Sequence, residues 1–125
     1  MVVEYPNVVE YLVDYLQTAL ATAYPTVVVT DFYRGQPVCV WVQRDGGPGL
    51  DLLREAARIR INCYHSAAGS ASKPVDDLAR RVSTLIRACP NGQPVVRAVQ
   101  TSGPASIADT VPRRLLGFEL VVRGS

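Results

Sequence analysis

Residues Ala57–Cys89 read ARIRINCYHSAAGSASKPVDDLARRVSTLIRAC, and within them a two-residue hydrophobic period gives way to a helical one across small residues. Ile59, Ile61 and Cys63 fall on one side of a strand and Arg58, Arg60, Asn62 and Tyr64 on the other, because successive side chains of extended backbone point to opposite faces. Ser66–Ser72 forms a loop. Pro74 then sits where a missing N–H costs a helix nothing, and Asp76 and Asp77 put negative charge at its N-terminus. Val75, Leu78, Ala79, Val82, Leu85, Ile86 and Cys89 make one apolar stripe, while Arg80, Arg81, Thr84 and Arg87 face elsewhere. Pro90-Asn91-Gly92 stops the helix. Burying the large aliphatic side chains of that stripe contributes roughly 1.5–3 kcal/mol each before conformational entropy is subtracted, enough to seat the helix on a sheet.

The flanking sequence supplies that sheet. On the N-terminal side, Asn7 caps a helix with Glu10 three residues on, and Val8, Leu12, Tyr15, Leu16, Ala19 and Leu20 form its stripe. It ends near Ala23, before Tyr24-Pro25. Thr26–Phe32 is a β-branched strand, and Pro37–Arg44 alternates Val38, Val40 and Val42 against Cys39, Trp41 and Gln43; a turn at Tyr33–Gln36 joins the two. Asp45–Ala56 (DGGPGLDLLREA) starts as a glycine-rich turn and becomes a lead-in to the central strand, with room for one turn of helix from Asp51. It is too long for a simple hairpin. Past the second helix, Pro94–Thr101 and Arg114–Arg123 are strands, the latter turning Leu116, Phe118, Leu120 and Val122 inward, and Ser102–Arg113 is a second long connection.

The order helix, three strands, helix, two strands predicts an α+β fold. Residues 1–125 form one domain, with an antiparallel or mixed sheet of four or five strands and both helices on one face. The other face carries Cys39, Trp41 and Tyr64 beside arginines, joined by Val95, Val99 or Val121 according to register. Such a mixed face either meets a partner or stands as a partly exposed strand surface.

Composition narrows the function classes. A formal charge of +2 and a pI near 8.6 are too mild to argue for nucleic acid or membrane. The basic residues are twelve Arg and one Lys, a skew that fits a GC-rich coding source as well as interface use. Cys39, Cys63 and Cys89 lie in apolar patterns with no CxxC pair, as buried thiols of a reducing compartment do. With no run of eighteen apolar residues and no basic region followed by an apolar stretch, the expectation is a chain that neither spans a membrane nor is secreted by a standard signal, and that stays in the cytoplasm at synthesis.

No catalytic constellation emerges. His65, the only histidine, shares a strand face with Cys63, which gives two metal ligands where zinc needs three or four, and Cys63 belongs to the core face, a poor place for a nucleophile. Asp45-Gly46-Gly47-Pro48-Gly49 lacks the GK[ST] ending of a phosphate loop, and Ser66–Ser70 is no nucleophile elbow. Asp51 with Glu55 reads as solvated, and Asp76 with Asp77 as answering the helix dipole. Arg58, Arg60, Arg80, Arg81, Arg87, Arg113 and Arg114 are scattered and interleaved with acids, unlike a nucleic-acid platform. The residues alone describe a non-catalytic domain with no metal, no cofactor and partner-facing loops.

In order along the chain, EYPNVVEYLVDYL (4–16), VWVQRDGG (40–47), ARIRINCYH (57–65), SGPASIAD (102–109) and FELVVRG (118–124) make a series that resembles the tail terminator proteins of long-tailed phages infecting actinobacteria. The resemblance covers nearly the whole chain and rests on the order and spacing of short motifs. It implies a structural virion protein, a hexameric ring at the head-proximal end of the tail. The ring stops polymerisation of the tail tube protein, joins the tail to the head-closure connector of the neck, and lies near the tape measure protein. DNA passes through its lumen on ejection without specific binding, and neither catalysis nor a cofactor is involved. The carry-over to residues is regional. Gln43–Arg54, including Arg44, Asp45, Gly46, Gly47, Asp51 and Arg54, and Thr101–Arg113, including Gly103, Pro104, Asp109 and Arg113, fall at contacts with tube, neck or neighbouring subunits. Arg58, Arg60 and Tyr64 fall near a subunit boundary. The rival readings are a head-closure or adaptor protein of the neck, a small nucleic-acid-binding α/β domain, and a small hydrolase centred on Cys63 and His65.

Overall fold

A computed structural model of the chain describes residues 5, 7–50, 53–66, 73–91, 94–107 and 112–124. The elements are α1 (Val8–Leu20), β1 (Val28–Thr30), β2 (Val38–Arg44), β3 (Arg54–His65), α2 (Lys73–Ala88), β4 (Val95–Ile107) and β5 (Arg113–Arg123). The strands form one mixed sheet in the order β1-β2-β3-β5-β4, parallel between β1 and β2 and antiparallel elsewhere. This is the α+β architecture and element order that the periodicities predict.

Register makes the core. Val40 lies opposite Cys63, Ile61 opposite Leu116, Ile59 opposite Phe118 and Ala57 opposite Leu120, so the inward residues of three strands line one face. Val8, Leu12, Leu16 and Leu20 of α1 and Val75, Leu78, Val82 and Ile86 of α2 are buried in the same cluster. Both helices therefore cover one face of the sheet. At the start of α1 the Asn7 side chain accepts the Glu10 N–H at 3.1 Å, satisfying one orphan donor of the first turn. The Tyr15 hydroxyl donates to the Leu85 carbonyl at 2.8 Å and ties α1 to α2. Leu85 is only partly buried, and Ser83 takes the covered place instead, its hydroxyl bonded to the Gln100 side chain of β4.

Four expectations need correction. Helix α1 stops at Leu20 rather than Ala23, with a turn following. The strand expected over Thr26–Phe32 is confined to Val28–Thr30, and it runs parallel to β2. Parallel neighbours ordinarily need a long crossover, but β1 is so short that Asp31–Pro37 need only step back across it. The lead-in Arg54–Ala56 is the first part of β3, paired with Arg123, Val122 and Val121, so no helical turn occupies it; Asp51 lies outside the described residues. Much of the connection Ser102–Arg113 is strand, with Ser102–Ile107 continuing β4 and Arg113 opening β5.

That last difference has a local cause. Turn-forming Ser, Gly and Pro look like a loop by composition, yet register shifts at Gln100/Ser102 and Ser102/Ala105 absorb them while the strand stays paired. Gly103, with φ of 85° and a cis bond to Pro104, sits in this irregularity. A Cβ on Gly103 would collide with the Leu115 carbonyl oxygen, and one on Gly117 with the hydroxyl of Ser102.

Candidate functional site

The two irregular hairpins point to opposite ends of the sheet. Because Arg54 pairs with Arg123 and Tyr64 with Arg113, the β2–β3 link lies at one end of β3 and the β4–β5 link at the other. The β2–β3 link is a built arm. Asp45 N–H donates to the Arg58 carbonyl (2.7 Å), Arg58 N–H to Gly46 (2.9 Å), Ala56 N–H to Pro48 (2.8 Å) and Leu50 N–H to Arg54 (3.0 Å). Gly46 and Gly47 have φ of 88° and 132°, and a Cβ on Gly47 would run into the Ala56 carbonyl, so these glycines let the arm lie against β3. Arg44 pairs with Glu55 at 3.0 Å and bonds the Gly46 carbonyl, bracing the arm's base. Leu50 and Leu53 stand exposed near its end.

Arg60 reaches Asp45 at 3.2 Å, both half-exposed, and Arg58 faces Glu119 across the β3–β5 pair. Between arm and β4 they border a groove of about 390 Å³ whose floor is opened by Gly117. Tyr64 is a different case. It lies on the face away from the helices yet is only 3% exposed, because Tyr33 of the β1–β2 connection stacks on it with ring centroids 4.0 Å apart. Arg113, opposite Tyr64 in register, lies 5.7 Å from the same ring and donates to the Asn62 side chain at 2.9 Å; Asn62 in turn donates to Gln43 at 3.3 Å.

The residues singled out from the sequence thus separate into distinct places. Arg44, Asp45, Gly46, Gly47 and Arg54 gather at the β2–β3 arm, with Arg58 and Arg60 beside it. Gly103 and Pro104 lie in the β4 irregularity, Gly103 against Leu115 and Leu116, and Tyr64 with Arg113 at the far end. Asp51 and Asp109 lie outside the described residues. Sequence reasoning passed over Arg97 and Arg123, which register places on the same sheet face as Arg54, Arg58 and Arg60. Only strand pairing carries that signal. It also left open which valines join that face: Val99 and Val121 do, whereas Val95 packs in the core.

The three cysteines are free and buried. Burial pushes the Cys39 and Cys89 thiols up to about 11 and raises Cys63 as well, so they are poor thiolates at neutral pH. The His65 ring packs edge-on to Tyr24 with centroids 6.3 Å apart. Among the described residues no three His, Cys, Asp or Glu side chains converge, and no helix is long and apolar enough to cross a membrane. Compared with known proteins, the chain matches no family model and no curated relative.

Proposed function

We propose that this chain is a tail terminator, a subunit of a ring that caps the head-proximal end of a phage tail tube, halts tube polymerisation and joins the tail to the neck. The order of motifs along the chain supports this reading, and one geometric observation carries it. A single sheet carries the glycine-built β2–β3 arm at one end of β3, while Ile107 and Arg113, where β4 ends and β5 begins, lie at the other. A subunit that must bind a tube on one side and a connector on the other needs two such separated contact regions. In this reading Gln43–Arg54 engages one neighbour along the tail axis and Thr101–Arg113 the other, while Arg58 and Arg60 lie at the subunit boundary. The hexameric count, the virion location, the connector and tape measure protein as neighbours and the passage of DNA through the lumen belong to the same proposal.

The test is the mass of the purified protein in solution, alone and with a phage tail tube protein, by light scattering and electron microscopy. The expected result is a closed ring, formed alone or on tube ends. A monomer that never caps a tube, and whose binding to nucleic acid falls steeply with salt, overturns the reading in favour of a nucleic-acid-binding domain.

A further inference from the structure

Where α2 crosses the irregular part of β4, the two elements border a cleft of about 580 Å³, a volume within the range of small-molecule sites. One wall is a row of α2, in which Arg80, Ser83, Thr84 and Arg87 follow at three- and four-residue spacing and so share a helix face. The other wall is β4 from Gln100 to Pro104, the stretch that two register shifts throw out of regular pairing. Irregularities of this kind gather at sheet edges and beside sites.

The hydrogen bonds around the cleft use up its acceptors. The Thr84 hydroxyl donates to the Arg80 carbonyl at 3.1 Å, and Arg87 Nε donates to the Ser83 carbonyl at 3.4 Å. The buried Ser83 hydroxyl donates to the side-chain oxygen of Gln100. The Gln100 amide nitrogen in turn donates to the carbonyls of Ser102 at 3.2 Å and Gly103 at 2.9 Å. Five oxygens that would repel an anion are thus each turned to a donor. The donors are not exhausted. Arg80 spends its Nε on Asp76 and Arg87 its Nε on Ser83, and the terminal nitrogens of both guanidinium groups make no bond among the described residues.

Charge falls the same way when it is read by position. Arg80 and Arg87 line the cleft, and no Asp or Glu does. Asp76, which holds Arg80 at 2.8 Å, stands outside the lining and is shared with Arg114 at 3.7 Å. Asp77 is paired with Lys73 at 2.8 Å. Glu119 of β5 lines the grooves on the sheet's other face, with Arg58 and Arg97. The groove beside the arm is the contrast, because there Asp45 answers Arg60 at 3.2 Å and Glu119 lies opposite Arg58.

We propose that the α2–β4 cleft binds a phosphate dianion, free or carried as a monoester on a small molecule. Arg80 and Arg87 hold its oxygens, and Gln100 keeps the backbone carbonyls of β4 turned away from it. Guanidinium forks match phosphate oxygens in pairs. A phosphate charge of roughly −1.5 to −2 answers two arginines, where a lone carboxylate answers one. The inference goes beyond the ring reading and does not depend on it, since it needs neither a second copy nor a tail tube.

The test follows the backbone and arginine Nε resonances of the isotope-labelled protein while inorganic phosphate, adenosine monophosphate, adenosine or acetate is added, with ionic strength held constant by chloride. Phosphate is expected to shift Arg87 and Gln100–Gly103 saturably, with a Kd of about 1 mM or below, whereas adenosine and acetate leave them in place. Tighter binding of the nucleotide than of phosphate identifies a monoester as the ligand, and equal binding identifies the free ion. Arg87→Gln should weaken binding by about tenfold or more. Thr84→Glu, which sets a carboxylate on the exposed helix wall, should abolish it, and Arg97→Gln, outside the cleft, should bind as the parent does. Resonances of the buried core check that each variant is folded. Shifts that do not saturate, an equal response to acetate or adenosine, or full affinity in Arg87→Gln and Thr84→Glu overturn the proposal.

Discussion

The two faces of this sheet are built from the same strands, residue alternating with residue, and are held by different chemistry. Toward the helices, Ile59, Ile61, Leu116, Phe118, Leu120 and Val122 pack in one apolar cluster against α1 and α2. Away from them, Tyr64 and Asn62 are as thoroughly buried, but under the Tyr33 ring and the side chains of neighbouring strands rather than under a helix. There the contacts are a ring stack from Tyr33, a guanidinium over Tyr64 and a chain of polar side chains from Arg113 through Asn62 to Gln43. Apolar burial is non-directional and scales with area, whereas stacks and hydrogen bonds hold only at defined geometry. The first face therefore carries the stability. The second fixes where the Asp31–Pro37 connection lies.

The comparison breaks most sharply at Phe118. Phe118→Ala empties the centre of the helix-covered face and is expected to cost about 3–5 kcal/mol, read as a fall in the urea midpoint. Arg113→Ala removes the donor to the buried Asn62 oxygen and should cost about 1–3 kcal/mol; a loss as large as that of Phe118 would show that the outer face is no mere cover. Tyr33→Ala strips the stack from Tyr64 and is expected to cost about 0.5–1.5 kcal/mol beyond its lost area. Hydrogen exchange should then rise in Asp31–Pro37 while α2 stays protected.

The smallest effect lies on the surface. The Arg80 hydrogen bond, opposed by partial burial and helped by Arg114, holds the Asp76 carboxyl below its usual range. Its contribution is present above the ordinary carboxylate range and is lost as pH falls through the lowered folded value. Asp76→Asn should cost about 0.3–0.5 kcal/mol at pH 7, with variant and parent converging in acid unfolding once pH falls through the lowered folded value.

How much of this was visible in the linear chain depends on the range of the interaction. The alternation in Arg58–Tyr64, the stripe from Val75 to Cys89 and the Asn7 cap are periodicities or contacts within a few residues, and they were read directly. The strand character of Ser102–Ile107 was hidden because Gly103 and Pro104 are turn formers by local propensity, and only pairing with β5 overrides that preference. The burial of Tyr64 was hidden for a similar reason. Its cover, Tyr33, lies thirty-one positions away in a stretch that reads as a turn.

The sequence by itself determined the element order, the inward faces of β2, β3 and β5, the stripes of both helices and the burial of the cysteines, all of which follow from local spacing of apolar residues. Tertiary structure alone decided the parallel β1–β2 pair, the strand order β1-β2-β3-β5-β4, the pairing of Ser102–Ile107 with β5 and the bonding of Gln17 to Val27 and Val29 beside β1. Each of those depends on which distant strands become neighbours, a choice made by the packing of the whole core.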